Sequence, residues 1–131
     1  MAANFSLSYD DVSLIPSYSD LKSRSEVSLR SHLGDLPLLI PILASPMTTV
    51  CGAEMFYAMR ELGGFGFHHR YCSLDELLLI AQKGIPIAIS PSMGDRFINE
   101  IPKGNWVIED VAHGDSLPCY ILAKKCIKRG L

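Results

Sequence analysis

Residues 38–70 read LLIPILASPMTTVCGAEMFYAMRELGGFGFHHR and contain the pattern that decides the fold. An apolar run predicts a strand over residues 38–44, and the polar turn SPMTT follows it. A helix is then predicted over residues 52–62, and a double glycine separates it from a second apolar strand over residues 65–68. One complete strand–helix unit and the next strand lie in this stretch, which indicates a parallel α/β fold.

The same alternation continues to the end of the chain. Further strands are predicted over residues 85–90 and 105–109, and helices are predicted to begin at Ser73, within a capping box, and at Ser116. The result is an α/β chain of about four consecutive βα units, which fits the N-terminal half of a TIM (β/α)8 barrel. The first strand is not followed by Gly-x-Gly-x-x-Gly, which weakens a Rossmann interpretation, and a flavodoxin-like sheet remains a further alternative.

Two regions are predicted from this change of pattern. Residues 1–35 have no sustained period and form a leading arm, in which only residues 5–16 alternate like a strand. Residues 36–131 form the partial barrel domain. In its first helix Met55, Ala58, Met59 and Leu62 fall on one face, which predicts that this face packs in the core.

Composition excludes several classes of protein. The chain has 131 residues, 48% of them apolar and 20% charged, and a net charge of −2; this is typical of a globular domain and gives no reason to expect nucleic acid or a membrane as partner. It has no run of about 20 apolar residues and no secretory signal. Four cysteines without CxxC or zinc-type spacing indicate a reducing compartment, so the expected location is cytoplasmic, and each cysteine is interpreted as a packing residue.

Polar side chains follow every predicted strand, and the carboxyl ends of parallel strands meet at one edge. Asp110 could bind a ribose diol, or it could cap the turn that follows it. His68 and His69 are expected to face opposite sides of an alternating strand, so that they cannot act alike. The polar clusters are Ser45 to Thr49, His68 to Arg70, Ser90 to Gly94, and Asp110 to Ser116.

Four stretches make the chain resemble the catalytic barrel of the IMP dehydrogenase/GMP reductase family. They are SYDDVSLIPSYSDLKSRSEV from residue 8, IPILASPMTTVCGAEMFYAMRELGGFGFHHR from residue 40, IPIAISPSMG from residue 85 and VIEDVAHGDS from residue 107. The resemblance implies a purine-nucleotide oxidoreductase that binds GMP or IMP and uses NADP or NAD. It implies nucleotide contacts at Ser45 and Met47 and cofactor contacts at Asp110, Ala112 and Ser116.

The chain departs from the family pattern in two ways. Thr48 stands where the family usually has an aspartate. The family's catalytic cysteine loop, phosphate-binding turns and flap would follow Leu131, and for that reason no catalytic residue is assigned. The resemblance leans towards the reductase because no regulatory insertion follows the second helix. The sequence therefore predicts a truncated enzyme, inactive alone, that needs a complementary C-terminal half or self-association into an oligomer. The alternative is a non-catalytic nucleotide-binding or self-associating module.

Overall fold

The computed structural model of the protein describes residues 6–131. It contains six strands and four α-helices, which alternate from Leu43 onward, and short 3₁₀ turns lie at Tyr9–Asp11, Arg24–Glu26 and Pro91–Met93. In chain order the elements are β1 (Ser31–Leu33), β2 (Leu36–Leu38), β3 (Leu43–Ala44), α1 (Ala53–Glu61), β4 (Phe65–Gly66), α2 (Leu74–Gln82), β5 (Ile87–Ile89), α3 (Gly94–Glu100), β6 (Val107–Glu109) and α4 (Leu117–Arg129).

Four strands run parallel and in sequence order, as the alternating pattern predicts. β3 pairs with β4 and β5 pairs with β6, in both cases parallel. A parallel bridge between His68 and Ile87 connects the two pairs. All three residues of β5 are buried, so the centre of this parallel array forms part of the core. The carboxyl ends of the four strands consequently lie along one edge.

The predicted first strand over residues 38–44 is wrong in its bounds. Leu36–Leu38 instead pairs antiparallel with Ser31–Leu33, in a hairpin that turns at Gly34 with a positive φ of 56°. The parallel strand is only Leu43–Ala44. Pro41 explains the break, because it has no N–H to donate to a sheet. The hairpin crosses the arm boundary predicted between residues 35 and 36, and that division stays a prediction.

The hairpin reaches the amino end of β6. A Cβ atom on Gly34 would lie 3.8 Å from the indole of Trp106, which comes directly before β6. Leu38 is buried in the hydrophobic core, and Leu33 and Leu36 pack against that core. The hairpin therefore covers the end of the parallel array opposite to the edge that carries the polar turns.

The buried face of α1 differs from the predicted one. Of the predicted residues, Met59 is half-buried and the others are exposed: Met55, Ala58 and Leu62. Phe56 is the buried residue of this helix. The ring of Phe56 meets that of Phe65 edge-to-face at 5.7 Å. An aromatic side chain buries more apolar area than methionine, so the helix turns Phe56 towards the strand.

Residues 6–30 are exposed throughout and contain no strand, so the strand-like alternation predicted over residues 5–16 does not form one within the described part of that range. Residues 1–5 of the predicted arm lie outside the described residues. Within residues 6–131, no helix combines the length and apolar character that crossing a membrane requires.

Candidate functional site

The turn after β3 presents the two residues implied as nucleotide contacts. Ser45 and Met47 are both exposed, Met47 to 54%. Backbone hydrogen bonds from the amides of Val50 and Cys51 to the carbonyl of Met47, at 2.9 and 3.0 Å, close the turn. An apolar side chain is therefore held in solvent by an ordered backbone at the carboxyl end of a strand.

Cys51 joins this turn to the end of β4. Its side chain is fully buried, and a Cβ atom on Gly66 would lie 2.8 Å from its sulfur, so the thiol packs where Gly66 leaves room. Its carbonyl accepts a hydrogen bond from the backbone N–H of His69 at 3.2 Å. Burial raises the pKa of the Cys51 thiol above its ordinary value, which agrees with a packing role.

Arg70 connects the end of β4 to Asp110, which follows β6. Arg70 Nε donates to the carboxylate Oδ2 of Asp110 at 3.1 Å and to the backbone carbonyl of Asp110 at 3.0 Å. The two side chains are 25% and 29% exposed, so the pair is partly shielded from water. Arg70 also stacks on Tyr71, with 4.7 Å from the guanidinium carbon to the ring centre. The ion pair thus spans the edge from β4 past β5 to β6.

Asp110 therefore has a partner that neither sequence interpretation included. It does not serve only as a cap of its own turn, because its Oδ2 pairs with a residue 40 positions away. Its backbone N–H donates to the carbonyl of Ile89 at 2.9 Å, which fixes Asp110 against the end of β5. The signal that could have found Arg70 is its position at the carboxyl end of a parallel strand, next to a carboxylate in the same kind of position.

The segment after Asp110 carries the other two residues implied as cofactor contacts. Ala112 is exposed, and Ser116 is half-buried directly before α4. Ser116 occupies the N-cap position as predicted, but its side chain makes no capping hydrogen bond. Ser73, in contrast, caps α2 by accepting from the Glu76 N–H at 3.2 Å.

The expectation that His68 and His69 face opposite sides is wrong. Their ring centres lie 4.4 Å apart. β4 already ends at Gly66, so the strict alternation of a strand no longer applies at these positions. His68 is buried, and its Nδ1 donates a hydrogen bond to the backbone carbonyl of His69 at 2.8 Å.

Comparison with known proteins agrees with the sequence motifs. Residues 6–83 match the model of the family described as IMP dehydrogenase / GMP reductase domain. The chain is 41% identical over 78 residues to the inosine-5'-monophosphate dehydrogenase of Korarchaeum cryptofilum, which covers 60% of this chain and 16% of that protein. It is 42% identical over 78 residues to the GMP reductase of Leishmania donovani, covering 59% and 16%.

A solved structure supports the fold. The inosine 5' monophosphate dehydrogenase of Legionella pneumophila superposes with a TM-score of 0.75 at 24% identity, over 91% of this chain and 39% of that one. The chain spans about a sixth of the length of the two curated relatives, 16% in each case. The likeness therefore concerns one part of those proteins.

Proposed function

This chain belongs to the IMP dehydrogenase/GMP reductase family, and we propose that it supplies part of the active-site mouth of a purine-nucleotide oxidoreductase. The observation that carries the proposal is the common edge, where the exposed turn at Ser45 and Met47 follows β3 and the Arg70–Asp110 pair joins the ends of β4 and β6 in the same parallel array. Ligands of parallel α/β folds bind at such carboxyl ends.

Ser45 and Met47 would contact IMP or GMP. The Ser45 hydroxyl makes no hydrogen bond to the described residues, so it can donate to or accept from a ligand. Met47 offers a polarizable apolar surface that suits a purine ring. Thr48 brings no carboxylate to this turn, so any acidic contact to the base has to come from another residue.

Asp110, with Ala112 and Ser116, would hold the nicotinamide ribose of NAD or NADP. The residues fit this group, because Oδ2 of Asp110 is engaged by Arg70 while Oδ1 makes no hydrogen bond to the described residues. A free carboxylate oxygen can accept from a ribose hydroxyl. When bound, the nicotinamide supplies hydride transfer; the contribution of Asp110 is to orient the ribose.

The four parallel strands would be half of a (β/α)8 barrel. β3 and β6 each pair on one side only within residues 6–131, and Ile42 and Leu43 are 55% and 45% exposed beside the open side of β3. Closing a barrel removes such edges. We infer that further strands, on the same polypeptide or on a second one, complete the sheet and supply the catalytic cysteine.

The direction of the reaction stays open between the two family activities. The relatives at 41% and 42% identity are a dehydrogenase and a reductase. None of the four cysteines in this stretch is proposed as the nucleophile, since Cys51, Cys119 and Cys126 are buried and Cys72 matches no catalytic position.

A second function is favoured by the exposed apolar side chains at β3. An unpaired strand with Ile42 and Leu43 in solvent is a template for pairing with another copy. The alternative is therefore a self-associating module that binds a nucleotide without turning it over.

The experiment is a binding titration followed by NMR chemical shifts, with IMP, GMP, NAD and NADPH added separately. Met47→Ala should weaken the mononucleotides, and Asp110→Ala should weaken the dinucleotides, each at least about tenfold, an effect of about 1.4 kcal/mol. Asp115→Ala, in the same exposed segment, is the matched control. Absence of shifts at residues 45–50 and 110–116 with every ligand at millimolar concentration would contradict the proposal.

Two further measurements separate the alternatives. Sedimentation gives the oligomeric state, and the change in nicotinamide absorbance gives turnover. We expect little or no turnover by this stretch alone, since no catalytic cysteine is assigned in it. Steady turnover by the purified 131-residue protein would overturn that expectation.

A further inference from the structure

Three potential metal ligands lie together where β4 leads into α2. One nitrogen each from His68 and His69 and the sulfur of Cys72 lie within 4.8 Å of one another. In a tetrahedral zinc site, bond lengths of about 2.0–2.1 Å to nitrogen and about 2.3 Å to sulfur place ligand atoms about 3.4–3.6 Å apart. A contraction of about 1 Å, within the reach of side-chain rotation, closes the set.

Hydrogen bonding already orients His68 for this role. Its Nδ1 lies 2.8 Å from the backbone carbonyl of His69, and a carbonyl can only accept. The proton therefore sits on Nδ1, and Nε2 keeps the lone pair that a metal needs. Donation from the second ring nitrogen to a carbonyl is the usual support of a metal-binding histidine.

His69 has an unsatisfied atom in the same place. Its Nδ1 is buried and has no hydrogen-bond partner within residues 6–131. A buried polar atom without a partner costs free energy, which a bound cation would recover.

We propose that His68, His69 and Cys72 form a zinc-binding site of this protein. One thiolate and two imidazoles are the donors that Zn²⁺ prefers, and three protein ligands leave the fourth position for water or a carboxylate. The site goes beyond the proposed nucleotide chemistry and does not depend on it. It follows from three side chains that the fold brings together, since the cysteine spacing in the sequence has no zinc pattern.

A bound ion would fix the segment that carries Arg70. Arg70 lies between His69 and Cys72 in the sequence and is itself anchored to Asp110. The zinc would thus hold the mouth of the strands from the outside, with a structural role rather than a role in the reaction.

The test is a titration of the untagged, metal-free protein with Co²⁺, followed by displacement with Zn²⁺. We expect one Co²⁺ per chain, with visible d–d bands and a thiolate-to-cobalt charge-transfer band that Zn²⁺ abolishes. Cys72→Ser should remove the charge-transfer band, and His69→Gln should weaken binding at least about tenfold, since loss of even a supporting group costs this much. His113→Gln and His32→Gln, which change histidines outside the cluster, should bind as the parent does.

Circular dichroism first establishes that each variant is folded; Cys72 is half-exposed, so its serine variant keeps the packing. Absence of a thiolate band in the parent protein overturns the proposal. An unchanged band in Cys72→Ser, or equal loss in His113→Gln, also overturns it, because the ion would then sit elsewhere. Proton release on zinc binding that disappears in Cys72→Ser would support the thiolate ligand.

Discussion

The Arg70–Asp110 pair offers the sharpest measurement on the candidate site. Arg70→Met keeps most of the aliphatic stem that packs on Tyr71 and removes the charge and both hydrogen bonds to Asp110. Asp110→Ala removes the carboxylate but keeps the backbone carbonyl that also accepts from Arg70. The double variant completes a cycle, which isolates the side-chain interaction from the backbone hydrogen bond.

The magnitude follows from the geometry. At the 3.1 Å separation of Nε and Oδ2, Coulomb attraction is about 1.3 kcal/mol in bulk water and about four times larger at an effective dielectric constant of about 20. Partial desolvation and the ordering of two side chains offset much of the larger value. We expect a coupling free energy of about 1–1.5 kcal/mol, and a total loss of about 2 kcal/mol for Arg70→Met because the backbone hydrogen bond is lost as well.

The assay is urea unfolding of the parent and the three variants at low salt and at about 1 M salt, where the Debye length is about 3 Å. Arg96 and Glu100 provide the control cycle, since this pair has a similar distance of 3.0 Å but side chains 94% and 46% exposed. The control should give about 0.3–0.5 kcal/mol and nearly vanish in salt. A coupling at Arg70–Asp110 no larger than the control would refute the reasoning that partial burial strengthens this pair.

Three further predictions concern stability. Gly63→Ala should lower the free energy of unfolding in urea by at least about 2 kcal/mol more than Gly84→Ala. Both glycines have a positive φ, 84° and 75°, but a Cβ atom would meet Leu39 at 2.4 Å at Gly63 and no atom within 4 Å at Gly84. Equal losses in the two variants would contradict this. Asn105→Ala should lower the free energy of unfolding by about 2–3 kcal/mol, because the buried amide donates to the carbonyls of Ala81 and Ile85 at 3.1 and 3.3 Å. Asn105→Asp should lower it further, since a carboxylate would repel those carbonyls. Asn99→Ala, at an exposed site, is the control, and an equal loss there would count against the hydrogen bonds. Burial raises the pKa of the Cys51 and Cys126 thiols, and the charge of Glu109 adds to the effect at Cys126. The neutral thiols therefore stabilise the fold fully below about pH 8.5, and this stability is lost as the pH rises above that value. The free energy of unfolding should be lower at pH 10 than at pH 8, and the double variant Cys51→Ala, Cys126→Ala should show a smaller difference.

The sequence predicted the type and order of the parallel elements well, because each depends on local signals. α1 lies within one residue of its predicted bounds at each end, and α2 begins directly after Ser73, as its capping residue predicts. The β1–β2 hairpin was missed because residues 31–38 do not alternate cleanly, and its partners are set by the turn at Gly34. The buried face of α1 was missed because periodicity identifies a face, whereas the choice between Met55 and Phe56 depends on contact with Phe65 in another element.

The site was predictable only as a location. Parallel strands dictate that Ser45 and Asp110 lie at one edge, and the order β3 to β6 agrees with that. The partner of Asp110 was not predictable, because it depends on an arginine reaching across β5 from a segment that no longer follows strand geometry. The same departure from alternation after Gly66 brings His68 and His69 together, which no period-two pattern contains.

These contacts also explain how the parallel strands can hold the two turns that carry the proposed ligand contacts in a defined relation. The carbonyl of Cys51 in the first turn accepts a hydrogen bond from the N–H of His69. The next residue, Arg70, forms the ion pair with Asp110. The N–H of Asp110 in turn donates to the carbonyl of Ile89. The first and last of these steps join neighbouring strands through backbone atoms, and the partly buried ion pair reaches across the end of β5. We therefore infer that the relative position of the proposed nucleotide and cofactor contacts is set within residues 45–116, before any further strand closes the sheet. Weakening the Arg70–Asp110 pair should then loosen dinucleotide binding through Asp110 while leaving Met47 and the mononucleotides unaffected, a separation that the binding titration can measure directly.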